Sequence, residues 1–239
     1  MPPPKPAPLT PKTTGLPAVD ALSANATPAL AEYLSAVSEY ILESPRLSDG
    51  VKKTAQIALS AGLGRCLKKA LEDKLPRLHA YAGELDVAGA LRTARADVSE
   101  SHSLDGLRLA VEIKPVNLAV GRAIWNRFGD IRAFAVNIHL KFPFAVVGGV
   151  MVVPTWEWSA KGTSKKPTLH IIDRLVTRLQ RTRRRETEAD APHLLEAITV
   201  VVFDPDTGDL NPVIPPPGFD LRWDEFVTVM TETYDIRFD

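Results

Sequence analysis

The residues best suited to chemistry lie in one stretch, Ala94 to Lys114. From Leu107 to Lys114, apolar residues alternate with others, which is the period-two pattern of a half-buried strand. Glu112 and Lys114 are therefore expected to project side by side from one face of that strand. A carboxylate and an amine placed in this way can orient a water molecule or offset the charge of a phosphate.

A second carboxylate is expected to join this pair. Ala94 to Ser101 is also predicted to be a strand, and Asp105-Gly106 between the two strands is a favoured hairpin dipeptide. Folding about that turn brings Asp97 opposite the end of the strand that carries Glu112 and Lys114. Two carboxylates can hold a hard cation such as Mg²⁺ through their oxygen atoms.

Asp105 is the competing partner for Glu112, but the spacing argues against it. It lies seven residues before Glu112 on the same extended run, which is about 23 Å at ~3.3 Å per residue and too far for a shared ion. Asp97 needs only the hairpin, so we choose Asp97. The simpler alternative for the whole stretch is an ordinary surface hairpin with an exposed cross-strand ion pair.

Asp97, followed after fourteen intervening residues by Glu112-Ile113-Lys114, resembles the catalytic signature of the PD-(D/E)XK nuclease superfamily, the restriction-endonuclease-like fold. The resemblance covers about Ala94 to Phe203 and rests on a short, degenerate motif; Ala96 stands where the signature often has proline. It implies an α-β-β-β-α-β core and Mg²⁺-dependent cleavage of phosphodiesters.

The resemblance also implies roles for individual residues. Asp97 and Glu112 would bind the metal, and Lys114 would position or activate the water. A helix just before the sheet often brings a further acidic residue to the metal in this family. Glu84 is the nearest candidate for that ligand here, and Glu72 is another.

Periodicity elsewhere predicts the elements that must position these side chains. Helical spacing of apolar residues and nearly unbroken apolar runs together indicate an α/β fold with a mixed central sheet flanked by helices and an N-terminal helical layer. Thr27-Pro28 is expected to cap the first helix. The predicted helices are 27–44, 51–75, 117–140, 169–181 and a short one at 192–197, and the predicted further strands are 144–153 and 198–203.

The chain is expected to form one domain over residues 18–239, after a flexible proline-rich tail at 1–17. Within it, the helical layer covers 27–75 and the catalytic core 90–204. Residues 205–239 are expected to form a small appendage that serves either oligomerisation or base reading.

Basic residues are concentrated between the two predicted apolar strands 144–153 and 198–203. The chain is neutral, with 29 basic and 29 acidic residues, yet residues 161–185 hold nine basic residues and only Asp173 as an acid. This asymmetry indicates a polyanion partner, and a solvated basic face is the alternative. Arg122 and Asn126 lie near the start of the helix after Lys114 and are further candidates. The candidate DNA contacts are Lys161, Lys165, Lys166, Arg174, Arg178, Arg181, Arg183, Arg184, Arg185, Arg122 and Asn126.

Composition limits the other possibilities. The single cysteine, Cys66, excludes an internal disulfide framework and a Cys-rich zinc site, and is typical of a reducing cytoplasm. The longest apolar run is too short for a membrane span, and the N-terminus lacks the apolar region of a signal peptide.

The resemblance therefore implies a Mg²⁺-dependent, sequence-specific endodeoxyribonuclease, a type II restriction enzyme that cuts double-stranded DNA as a homodimer. Three alternatives stay open: a structure-specific or repair nuclease of the same fold, a non-catalytic DNA-binding protein that keeps the fold, and an unrelated α/β protein whose hairpin carries a surface ion pair.

Overall fold

The computed structural model describes residues 15–23 and 27–239, so most of the expected proline-rich tail lies outside the described residues. Six helices and seven strands follow one another in the described ranges. The helices are α1 (Pro17–Ser23), α2 (Leu30–Glu43), α3 (Asp49–Lys74), α4 (Val120–His139), α5 (Leu169–Leu179) and α6 (Trp223–Phe238). The strands are β1 (Tyr81–Ala88), β2 (Thr93–His102), β3 (Gly106–Pro115), β4 (Val146–Pro154), β5 (Trp156–Trp158), β6 (Lys165–Pro167) and β7 (Ala197–Phe203).

Five strands form the central sheet in the order β1-β2-β3-β4-β7, and β5 pairs with β6 in a separate hairpin. Strand β2 runs antiparallel to both β1 and β3, whereas β3, β4 and β7 run parallel to one another. The prediction of an α/β fold with a mixed central sheet flanked by helices is confirmed.

The sheet separates two hydrophobic cores, because alternate residues of a strand face opposite sides. Leu109, Val111 and Ile113 of β3 pack into the core under α1, α2, α3 and α6. Ala110 packs into the other core, under α4 and α5. Every residue of β4 and β7 is buried, as expected for parallel strands covered on both faces.

Gly148 and Gly149 of β4 let helices approach the sheet closely from both sides. A Cβ at Gly148 would lie 3.0 Å from the side chains of Met230 and Phe226 on α6, and one at Gly149 would lie 2.7 Å from Ile131 on α4. The two glycines therefore mark the places where helices pack closely against the centre of the sheet. Residues 205–239, expected to form an appendage, contribute α6, which packs into the first core through Phe226 and Met230.

Several local predictions were wrong. Strand β1 was not predicted, because it lies at the sheet edge and buries only Val87. The segment between β4 and α5, where no strand was predicted, contains the β5–β6 hairpin. Residues 192–196 form turns rather than a helix. The N-cap of α2 is Ala29 rather than Thr27. Leu107 packs into the second core because the pairing of β2 with β3 shifts register beside it.

None of the helices within residues 15–23 and 27–239 is long and apolar enough to cross a membrane.

Candidate active site

The β2–β3 hairpin places the two predicted carboxylates at neighbouring positions. Gly106 opens β3 with a φ of 73°, a left-handed conformation that favours glycine. Regular pairing of the strands runs to Val98 opposite Val111, so Asp97 and Glu112 are the next residues on each strand. At that point the Asp97 carboxylate accepts a hydrogen bond from the Ile113 backbone N–H, with an Oδ2···N distance of 2.7 Å.

Burial sets the electrostatics of Glu112, which is only 8% exposed. This burial raises the pKa of Glu112 to about 7, although the Lys114 ammonium, which contacts Glu112 Oε1, opposes the rise. The negative charges of Asp97 and Asp130 raise that pKa further. The ionised form of Glu112 is thus under-compensated by its single cationic partner.

The pKa of Asp97 is raised as well. Burial raises the pKa of Asp97, and the hydrogen bond from Ile113 and the charge of Lys114 oppose the rise. Two neighbouring acids that are both hard to ionise, next to one amine, can take up a proton or bind a cation.

Glu84 lies opposite Asp97 on β1, but its carboxylate forms an ion pair with an arginine. The pairing of β1 with β2 jumps from Ala82–Val98 to Leu85–Ala96, so Glu84 falls in a bulge that faces Asp97. Its carboxylate is exposed and forms an ion pair with Arg95 at 3.0 Å. The charge of Glu84 nevertheless contributes to raising the pKa of Asp97.

Glu72, the other candidate ligand, pairs with Lys68 one turn earlier on α3. Within residues 15–23 and 27–239, no three Asp, Glu, His or Cys side chains are grouped closely enough to hold a metal.

A cavity of about 270 Å³ opens beside Asp97 and Lys114. Gln56 and Ser60 of α3 line one side, and Arg127 of α4 lines another. Helix α3 lies against β2 at Gly64, where an added Cβ would make an ordinary 3.6 Å contact with the Asp97 carbonyl oxygen. Sequence reasoning missed these side chains. The available signal was the polar and small series Gln56, Ser60 and Gly64, which recurs every fourth residue and so marks one face of α3.

The residues present fit a single hard divalent cation. Asp97 and Glu112 supply carboxylate oxygens whose charge is incompletely offset, and the ammonium of Lys114 already rests on one of them. Mg²⁺ is commonly held by one or two carboxylates, with water and substrate phosphate as its other ligands. The Asp97–Glu112 pair therefore suffices without a third acidic side chain.

Three of the predicted DNA contacts lie next to this cavity. Lys161, Lys166 and Arg122 line a second cavity of about 530 Å³, and Leu118 lines both cavities. Lys52, at the start of α3, lies in the same wall and was not predicted. This basic groove, defined by Lys52, Arg122, Lys161 and Lys166, therefore adjoins the carboxylate pair.

The other predicted contacts have partners of their own or lie elsewhere. Lys165 pairs with Asp206 at 2.6 Å and lies 4.3 Å from the ring centre of Trp156. The guanidinium groups of Arg174 and Arg178 lie 5.8 and 4.4 Å from the ring centre of Trp125, respectively. Arg181 and Asn126 are exposed.

The run Arg183 to Arg185 turns toward the protein. Arg183 and Arg184 both contact Asp220, at 2.7 and 2.9 Å. Arg185 is 3% exposed and donates to Glu196 and to the Pro143 carbonyl. The prediction that Arg185 contacts DNA does not hold in this structure, because its guanidinium is enclosed by protein atoms.

A comparison of the chain with protein-family models, with curated proteins and with solved structures found no match.

Proposed function

We propose that this protein is a Mg²⁺-dependent endodeoxyribonuclease, and more specifically a sequence-specific type II restriction enzyme that hydrolyses phosphodiester bonds in double-stranded DNA. One observation carries the proposal: Asp97 and Glu112 meet at neighbouring hairpin positions, both with a raised pKa, beside Lys114 and an open cavity. The order of elements from α3 to β4, a helix, three strands, a helix and a strand, supports it, because the PD-(D/E)XK resemblance implies the same order.

In this proposal Asp97 and Glu112 hold the cation. Bound Mg²⁺ supplies a polarised water and offsets the negative charge that builds on the phosphate oxygens. Glu112 must be ionised to act as a ligand, so its raised pKa makes binding of the cation pH-dependent. The hydrogen bond from Ile113 fixes one oxygen of Asp97 and leaves the other free to bind.

Lys114 is the group that positions the water. Its side chain is 22% exposed, so the ammonium lies at the cavity rather than in bulk solvent. An ammonium donates hydrogen bonds to the attacking water or to a phosphate oxygen. Arg127 in the cavity wall is suited to offsetting the charge of the same phosphate.

The basic groove supports DNA as the substrate. Lysine and arginine contacts to phosphates position a duplex but carry no sequence information, so base reading must come from other residues. Cutting both strands of a two-fold symmetric site suits a homodimer. The single, buried Cys66 is consistent with a reducing compartment, and we propose the cytoplasm.

The test is to incubate the purified protein with plasmid and phage DNA, with Mg²⁺ and with EDTA. A fixed set of fragments that disappears with EDTA is the expected result. Asp97→Ala and Glu112→Ala should both abolish it, whereas Asp105→Ala should not. Asp105 is the matched control, because it is a carboxylate on the same hairpin about 23 Å from Glu112 along the strand.

The outcomes separate the alternatives. Cleavage at junctions or damaged sites without fixed fragments would replace the restriction enzyme by a structure-specific nuclease. DNA binding without cleavage, unchanged in Glu112→Ala, would indicate a non-catalytic DNA-binding protein. No cleavage and no binding to duplex DNA would overturn the proposal altogether.

A further inference from the structure

One cavity among the described residues has no role in the proposed reaction. It measures about 780 Å³ and lies between α6, the segment Arg183–Glu186 and the loop Gly218–Asp220. It shares no lining residue with the cavity beside Asp97. Four arginines from two parts of the chain line it: the consecutive Arg183, Arg184 and Arg185, and Arg237 on α6.

In the inner layer of this arginine cavity, the carboxylate of Glu196 is fully paired. Glu196 Oε1 accepts hydrogen bonds from Arg185 at 3.2 Å and from Arg237 at 2.8 Å. Glu196 Oε2 lies 2.9 Å from the Val147 N–H and 3.1 Å from His139 Nε2. Both oxygens of Glu196 are thus occupied by protein donors, so this layer holds the fold together.

The outer layer is not fully paired. Asp220 faces both Arg183 and Arg184, and each arginine approaches it through Nε. The 2.7 Å contact of Arg183 lacks hydrogen-bond geometry, so Arg183 Nε and Asp220 Oδ1 are buried without a hydrogen-bond partner in the described part of the chain. Across residues 15–23 and 27–239, the terminal amino groups of Arg183 and Arg184 have no hydrogen-bond acceptor.

The two guanidinium groups of the outer layer disfavour each other. Burial lowers the pKa of Arg183, and the neighbouring charge of Arg184 lowers it further against the effect of Asp220. Arg184 also has a φ of 64°, a left-handed conformation that is strained for a non-glycine residue. The chain therefore holds two guanidinium groups side by side, under strain, with one carboxylate between them.

The rest of the cavity defines the size and character of an occupant. Val229 and Ile236 of α6, with Phe219, form an apolar wall, and Ile236 is 84% exposed. Glu186 and Glu225 are exposed carboxylates in the cavity lining and would repel an extended polyanion. The volume lies within the roughly 300–1,000 Å³ typical of small-molecule sites.

We propose that this cavity binds a phosphorylated small molecule. Its phosphate sits on the free amino groups of Arg183 and Arg184, which suit bidentate contacts to an oxyanion. Its apolar or aromatic body lies against Phe219, Val229 and Ile236. The proposal does not depend on nuclease activity, because it uses neither Asp97 nor Glu112.

The test is calorimetric titration of the full chain with three probes: 2′-deoxyadenosine 5′-monophosphate, inorganic phosphate and 2′-deoxyadenosine. The monophosphate should bind most tightly, because it engages both walls, and the unphosphorylated nucleoside should bind most weakly. Arg184→Ala should weaken monophosphate binding at least about tenfold, the size of one charge-assisted contact. Arg181→Ala is the matched control, since Arg181 is an exposed arginine of the same segment outside the cavity.

A second variant guards against misfolding. Arg184→Gly removes the guanidinium and relieves the left-handed strain, so it should raise the thermal midpoint while losing monophosphate binding. Binding that is unchanged in Arg184→Ala, or no saturable binding of any probe up to about 10 mM, would overturn the proposal.

Two further outcomes would also overturn it. Loss of monophosphate binding in Glu112→Ala would place the ligand at the hairpin site, and displacement of the monophosphate by duplex DNA in an Arg184-dependent way would assign the cavity to DNA. Absence of DNA cleavage would contradict only the nuclease proposal.

Discussion

Two buried glutamates of this protein, Glu112 in the hairpin site and Glu196 in the arginine cavity, differ in the number of donors that surround them. Glu112 has Lys114 as its side-chain partner, and burial raises its pKa to about 7. Burial also acts on Glu196, but His139, Arg237 and the Val147 N–H hold its pKa below the ordinary value. A fully paired carboxylate stabilises a fold, whereas an under-compensated one is available for chemistry.

The largest effect should come from the under-compensated glutamate. Glu112→Ala should reduce Mg²⁺-dependent cleavage at least about 10³-fold, equivalent to ~4 kcal/mol of transition-state stabilisation. A plasmid-nicking time course measures it. The fold should survive, because Glu112 contributes little pairing; a variant that cleaves within tenfold of wild type would remove Glu112 from the site.

The paired glutamate should show the opposite behaviour. Glu196→Ala leaves the buried guanidinium of Arg185 and that of Arg237 without their carboxylate, which should lower the free energy of unfolding by about 3–5 kcal/mol. Urea denaturation measures this loss. Asp220→Asn, in the less buried outer layer, should cost less. An equal or larger loss in Asp220→Asn would contradict the assignment of Glu196 as the structural centre.

The contributions of Glu112 and Glu196 to stability should also depend on pH in opposite directions. The folded-state pKa of Glu112, about 7, lies above its ordinary value of 4.5, so folding favours the protonated acid. The contribution of Glu112 to stability is present at pH values below this ordinary pKa and is lost as the pH rises through 7. The loss is at most about 3 kcal/mol. Urea denaturation of the metal-free protein at pH 5 and pH 8 should show this loss, and Glu112→Gln should show less of it.

Glu196 has a lowered pKa, so its contribution to stability is present at pH values above its ordinary pKa and is lost as the pH falls below that pKa.

Added Mg²⁺ should stabilise the protein to a different extent at the two pH values. It should raise the thermal midpoint more at pH 8 than at pH 5, because only ionised Glu112 is a ligand. Equal stabilisation by Mg²⁺ at both pH values would place the cation elsewhere.

The smallest effect should come from the basic groove. Lys166→Ala should weaken duplex binding by about 1 kcal/mol, equally for all sequences, and should reduce the salt dependence by about one phosphate contact. Fluorescence anisotropy over a range of NaCl concentrations measures both quantities. Arg185→Lys is the comparison, since it alters a buried cation: a change in stability without a change in salt dependence is expected there.

The hairpin and the fold class could be predicted from local sequence. The alternation from Leu109 to Ile113, the Asp105-Gly106 turn and the apolar run that became β4 all report backbone periodicity and burial, and these features are read from neighbouring residues. The weak alternation of β1 explains why that edge strand was missed. The facing positions of Asp97 and Glu112 followed from the hairpin alone.

Only the tertiary structure decided which charges meet. Glu196 binds His139 and Arg237, 57 and 41 residues away in the chain, and no local pattern encodes such contacts. The run Arg183 to Arg185 has the composition of a DNA-binding surface, yet its arginines form ion pairs with Asp220 and Glu196 of the same chain. The sequence by itself determined where the strands and helices form, because their patterns are periodic. Packing determined which side chains are enclosed, and therefore which carboxylates are neutralised and which remain reactive.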